Sequence, residues 1–429
     1  MKMFAKIRVG LIALLLLAAA PAHATNGFWA HGYGTRSRAL AGAGVALPLD
    51  GMDAASNPAK MVYLGDRRDL GAGLFVPSRG FAAGDSSAAA GLPALPAGAH
   101  DSLNELFLVP HFARNWMLDD NSSFGISAGA NCGMNTEYPL ALFAAFSDST
   151  NPAWVASAPT GIDFKQFFVG LTYARKISPG HAFGITPIIG IQSLQAQGLE
   201  PFRKFSAAPA FVTNNGHDIA YGGGLRIGWL SRFNRLAVGL SYQTRLKMTK
   251  FDDYRGLLAG GGSFDTPPNL TFGIAVKLWP TVTGLFDIQH IWYEDIKAIA
   301  NDADLVFTGD RPLLGTDDGL GFGWENMTIA KVGLQWDLGP DLALRAGFSE
   351  GNQVIGANDV LFNILTPAVI TRHYTLGMTK EIKAGHELDI AILYAPGGSV
   401  AGGNPNTGGQ AISLEMDQLE VEINWSRSF

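Results

Sequence analysis

The chain ends on "QLEVEINWSRSF", residues 418–429. Leu419, Val421, Ile423, Trp425 and Phe429 share one phase, and Gln418, Glu420, Glu422, Asn424, Ser426 and Ser428 share the other. Successive strand side chains point to opposite faces, so this segment predicts a strand with one apolar and one polar face. Arg427 breaks the apolar phase only at the end, where a long side chain can snorkel to an interface.

The same alternation recurs upstream. Leu236, Val238, Leu240, Tyr242, Leu246 and Met248 oppose Ala237, Gly239, Ser241, Gln243, Arg245 and Lys247. Leu270, Phe272, Ile274, Val276 and Leu278 oppose Gly273 and Lys277, and Val332, Leu334, Trp336 and Leu338 oppose Lys331, Gln335 and Asp337. Similar rows run through Tyr221 to Trp229, Phe286 to Trp292, Leu342 to Phe348 and Leu388 to Tyr394.

Composition narrows the class. Hydrophobic residues make up 47% of the 429 residues and charged residues only 16%. Residues 1–24 read as a secretory signal: Lys2, Lys6 and Arg8, an apolar core, then Ala22-His23-Ala24. Removing those three cations takes the formal charge from −6 to −9, which argues against nucleic acid as a partner. The single Cys132 cannot form an internal disulfide. No later apolar run is long enough for a helical span, so the apolar residues must be hidden in alternation. A soluble sandwich would also alternate. Strands of membrane-crossing length, aromatics near strand ends and a terminal Phe favour an all-β fold, a transmembrane antiparallel β-barrel.

Other segments lack the strand pattern. Residues 25–62 are rich in Gly and Ala and close on Asn57-Pro58-Ala59; their low charge suits burial in a lumen as a plug. The barrel is expected over residues 63–429, with outer loops at about residues 78–104, 139–164 and 200–218. The second loop carries Leu140, Leu142, Phe143, Phe146 and Trp154, and the third carries Phe202 and Phe211 beside Arg203 and Lys204. Exposed apolar loops of this kind mark binding or membrane contact, the alternative being that they pack on each other. The nine His show no catalytic or metal-ligand spacing, so no catalytic residue, metal or cofactor is expected. A general diffusion porin is the competing reading, but it calls for a polar constriction loop.

One strand carries a soft spot. Residues 124–135 alternate, with Phe124, Ile126, Ala128, Ala130, Cys132 and Met134 on the apolar phase, yet Asn131-Cys132-Gly133 sits mid-strand. Gly in a strand interior marks a bulge or close approach, so a kink is expected here. Cys132 reads as a small apolar residue at its rim.

Together "GYGTRSRALAGAG…ASNPAKM", "NCGMNTEY", "SLQAQGLEPF" and "EINWSRSF" resemble the FadL/TodX family, outer-membrane channels for long-chain fatty acids and other hydrophobic compounds. The resemblance implies a barrel of about 14 strands with an N-terminal hatch whose motif is Asn57, Pro58 and Ala59. It implies capture in a groove between the outer loops, hatch movement and lateral exit at a kinked third strand, here Asn131, Cys132 and Gly133. Fatty-acid carriers of the family meet the carboxylate with basic residues. One such position falls on Pro201, with Arg203 and Lys204 close by, and another near Glu325, with Lys331 the nearest base; Arg245 is a further candidate. The implied partners are a hydrophobic small molecule, outer-membrane lipid and lipopolysaccharide, and the barrel-assembly machinery acting on Phe429, with the chain a monomer in the bacterial outer membrane.

Overall fold

The computed structural model describes residues 26–85, 92–303 and 311–429; the signal segment lies outside them. Fourteen antiparallel strands follow one another around a closed wall. They are β1 Arg67–Ala83, β2 Phe107–Asp119, β3 Ser122–Tyr138, β4 Thr160–Ser178, β5 His181–Gln197, β6 Asp218–Arg232 and β7 Leu236–Gln243. The second half comprises β8 Asn269–Trp279, β9 Val282–Ile291, β10 Met327–Asp337, β11 Leu342–Gly351, β12 Arg372–Lys383, β13 His386–Asn404 and β14 Gln410–Ser428. β1 pairs with β14 from Arg67↔Ser428 to Ala83↔Ile412, which leaves the seam no free edge. Two short pieces are accessory: Gly98–Asp101 folds back on β1, and Lys247–Met248 pairs with Gly222 and Gly223.

The alternation sets the faces. Leu419, Val421 and Ile423 are 42%, 43% and 51% exposed, whereas Glu420 and Glu422 are buried in the lumen. Strand turns are short at the end that holds Arg67 and Phe429; the long segments gather at the other end. β1 and β4 run further than the loop boundaries drawn from sequence, since residues 78–83 and 160–164 are strand.

Two phase errors have one cause. Asn131 is an extra residue in β3: Ala130 faces Phe167 of β4, and Cys132 already faces Gln166. A one-residue insertion moves every later side chain to the opposite face. Met134 therefore points into the buried core with Tyr138, not outwards. Likewise Arg226 of β6 faces Gln243 but Gly223 faces Lys247, one residue out of step, and Leu246 turns inward against Phe168 and Ile188.

Residues 26–66 fill the lumen. They form one helical turn, Thr35–Arg38, and two 3-10 turns, Gly51–Ala55 and Pro58–Tyr63. Leu40, Ala43, Leu49, Ala59 and Met61 pack against Ala174, Leu230, Ala275 and Leu285 of the wall.

Candidate functional site

The Asn57-Pro58-Ala59 motif builds its own turn. Asn57 Oδ1 accepts from the Ala59 N–H at 3.1 Å, capping the 3-10 turn, and Pro58 occupies its first position, where a missing N–H costs nothing. Asn57 Nδ2 donates to the carbonyls of Val45 at 2.8 Å and Trp229 at 3.0 Å, tying the turn to β6. The wall makes room with glycine. A methyl at residue 228 would strike Asn57 and Pro58, and one at 184 would strike the Pro58 carbonyl and the Ala59 nitrogen.

Buried charges pin the rest of the hatch. Arg36 pairs with Asp389 at 2.9 Å and Glu387 at 2.6 Å; Arg38 pairs with Glu420 and, at 3.0 Å, with Glu422. Glu422 also accepts from Thr35 at 3.0 Å and meets His111 at 3.0 Å. Asp287 accepts the backbone N–H groups of Gly44 and Val45 at 2.8 and 2.9 Å. Buried charge is tolerated only when paired and hydrogen-bonded, so these contacts fix the hatch in one position.

Above the pinned part, the start of the described chain enters an aromatic box. The Phe28 ring lies 5.4–6.1 Å from the rings of Phe164, Phe264, Tyr293 and Trp324, in tilted or edge arrangements. Gly27 turns the chain here with φ +68°, hard against the Tyr293 ring. Asn131 of the bulge touches the same stretch: its carbonyl accepts the Ala30 N–H at 2.9 Å, and its side chain bonds Tyr33. Asn131 Nδ2 donates to Gln166 at 2.8 Å, and Gln166 donates to Thr266 at 2.6 Å. A narrow gap lies beside the bulge between Tyr33, Met52, Phe168, Ile188 and Arg226, reaching Ala128 and Gly129.

The wall is broken at the same place. The β2–β3 ladder runs only as far as His111↔Gly129, although β2 stays paired with β1 to Phe107. Gly133 lies on β3 above the break, opposite Lys165 of β4. The side chain of Cys132 lies outside the described part of the structure.

The outer loops differ from the expected open groove. Leu142, Phe143, Phe146 and Phe202 are buried together, with Phe143 and Phe202 centroids 4.8 Å apart. Loop packs on loop and hides them, so these four form a core between the two insertions. Leu140 is exposed, Trp154 and Phe211 are half-buried, and the Arg255 guanidinium stacks on Phe211. Sequence reading missed Glu200, a buried hub that accepts from Ser157 at 2.5 Å and Asn214 at 2.7 Å and joins the two insertions.

The four candidate carboxylate contacts do not converge. Arg203 donates to the carbonyls of Ala153 and Thr213. Lys204 stands over the Phe205 ring. Arg245 turns out of the lumen because its strand has ended, and pairs with Asp265 at 2.7 Å. Lys331 donates to the His31 carbonyl at 3.0 Å, beneath the aromatic box. Phe28, Phe264, Tyr293 and Trp324 were not singled out, since nothing local distinguishes them from other buried aromatics.

Fold and site define a transmembrane β-barrel filled by its own N-terminal segment and broken on one side of its wall. No helix among the described residues is long and apolar enough to cross a membrane; the strands do so. The chain belongs to the outer membrane protein transport protein (OMPP1/FadL/TodX) family, whose profile matches residues 15–423. It is thus an outer-membrane protein of a family of transport channels. A search of curated proteins found no match. Among solved structures it is similar to the Pseudomonas putida toluene transporter TodX: 17% identity, TM-score 0.68, covering 93% of this chain and 99% of that one. A Pseudomonas aeruginosa FadL homologue gives 14% identity and TM-score 0.64 over 94% of this chain and 100% of that one. The Ralstonia pickettii toluene transporter TbuX gives 15% and 0.61 over 93% and 99%. At these identities the likeness is one of fold.

Proposed function

We propose that this channel carries neutral apolar small molecules, aromatic or aliphatic hydrocarbons, across the outer membrane and releases them sideways into it. The observation that carries the reading is the broken β2–β3 ladder beside the aromatic box that the Phe28 turn fills. Apolar cargo gains roughly 25 cal/mol per Å² on leaving water, and an open aqueous pore would forfeit that gain. A plugged barrel with a side exit keeps it. The engaged state of Arg203, Lys204, Arg245 and Lys331 favours neutral cargo over a carboxylate. The toluene transporters of the same fold point the same way.

In this reading cargo enters at the rim around Leu140, Trp154 and Phe211, displaces the Phe28 turn from the aromatic box and leaves between Ala130 and Gly133. Phe429, exposed at the end of β14 and flanked by Arg114 and Arg427, serves recognition by the barrel-assembly machinery of a monomeric chain. Uptake of labelled monoaromatics, alkanes and long-chain fatty acids by cells with and without the gene tests the reading. Gene-dependent uptake of the neutral compounds is expected. No difference for any hydrophobic compound, or large stable open channels in planar bilayers, would overturn it.

A further inference from the structure

The bulge moves β3, but a bulge alone does not keep two strands apart. Unpaired backbone groups at membrane depth cost several kcal/mol each, so an open seam tends to zip shut. Something must stop the β2–β3 ladder from advancing past Gly129.

Backbone direction along β2 locates it. The Met117 N–H donates to Asp66, on the β1 side of the strand. In an antiparallel strand the N–H and C=O of one residue point to the same side, and the side alternates along the chain. No register shift interrupts β2 between Met117 and Phe107 on either side. Residues 115, 113, 111 and 109 therefore face β1, and Arg114, Phe112 and Pro110 face β3. The last ladder step is His111↔Gly129, so the next would be Pro110↔Ala130, a pair that exchanges hydrogen bonds. Proline has no N–H to give.

We propose that Pro110 sets the lower edge of the side exit, by removing the one N–H that would carry the β2–β3 ladder past the bulge. The proposal rests on the side-exit reading above and assigns a residue to it. Proline inside a sheet is confined to edges and bulges, and Pro110 stands in a wall whose other side is fully paired: Ala72 opposes it on β1. Its position marks an edge built into a closed barrel. The far limit is also visible. Leu103 N–H donates to the Glu137 carbonyl at 2.9 Å, and the Glu137 N–H donates to Ser102 at 3.0 Å, so β3 is held again at its top. Between these ties the Asn131 carbonyl takes its donor from the hatch, at Ala30. Seven residues of β3, from Ala130 to Thr136, lie in the window, about 23 Å of strand.

The test uses the full chain with Pro110→Ala and Pro110→Val, and Gly133→Trp in parallel. Amide exchange in detergent reads the ladder, labelled hydrocarbon uptake reads the exit, and heat-modifiable migration reads the barrel. Pro110→Ala is expected to give a slowly exchanging amide at 110 and a fall in uptake of about tenfold or more, with the barrel intact. A fast-exchanging amide at 110 overturns the proposal. So does unchanged uptake in Pro110→Ala while Gly133→Trp blocks it; that pattern leaves the side exit standing. Unchanged uptake in Gly133→Trp removes the side exit, and the role of Pro110 with it.

Discussion

The Ala30 N–H donates to the carbonyl of Asn131 at 2.9 Å, and this bond joins the first turn of the hatch to the extra residue of the β3 bulge. Hatch and wall break are therefore one unit. Deleting Asn131 would restore one-to-one pairing with β4, keep Met134 and Tyr138 facing inwards opposite Phe164 and Thr160, and remove the ties to Ala30, Tyr33 and Gln166. The expected outcome is a barrel that still assembles, melts lower and takes up no hydrocarbon, measured by heat-modifiability and uptake together.

Gly184 and Gly228 seat the Asn57-Pro58-Ala59 turn. Gly184→Ala places a methyl against backbone that cannot rotate away, an overpacking cost of about 1–3 kcal/mol. Such a barrel should show a lower melting temperature and more frequent channel openings in planar bilayers. Gly397→Ala, where a Cβ would meet no atom within 4 Å, is the control and should change neither measurement.

Arg38 lies between Glu420 and Glu422. Arg38→Ala strands the buried Glu420 and leaves Glu422 with only His111 and Thr35, a loss of about 3–5 kcal/mol for breaking such a pair from one side. Thermal unfolding in detergent should show it. The triple change Arg38→Met, Glu420→Gln, Glu422→Gln removes the charges together and should recover most of the stability. Failure to recover would mean that Arg38 acts through packing.

Arg203 ties loop to loop and Lys204 lies over the ring of its neighbour Phe205, so both are engaged within the outer loops. Substituting both with Ala should leave uptake of toluene-like compounds within about twofold. Loss of fatty-acid uptake in the same variant, with the gene otherwise supporting it, would assign them to a carboxylate and make the cargo acidic.

The period-2 rows, the hatch and its Asn57-Pro58-Ala59 turn were legible because each is a local pattern. Leu419, Val421 and Ile423 face outwards as their spacing requires. The rows misled at Met134 and Leu246 because one unpaired residue reverses a phase without any signature in residue type. Composition also failed to separate an open groove from a closed one: Phe143 and Phe202 read as binding residues, yet each is buried by the other's loop. Gly184, Gly228 and Glu200 acquire meaning only from partners far along the chain. Pro110 was not singled out either, because only the register shows which side of the strand it silences.

The arginine pins have a consequence for how the molecule is made. Arg36 and Asp389 are 353 positions apart, and Arg38 and Glu420 are 382. Their acidic partners sit on the last two strands, beside the seam where β14 meets β1. A wall that closed without the hatch would enclose Asp389, Glu420 and Glu422 with no cation from the hatch. The N-terminal segment is thus the inner template for the last two strands, and closing the cylinder is coupled to seating its own beginning inside.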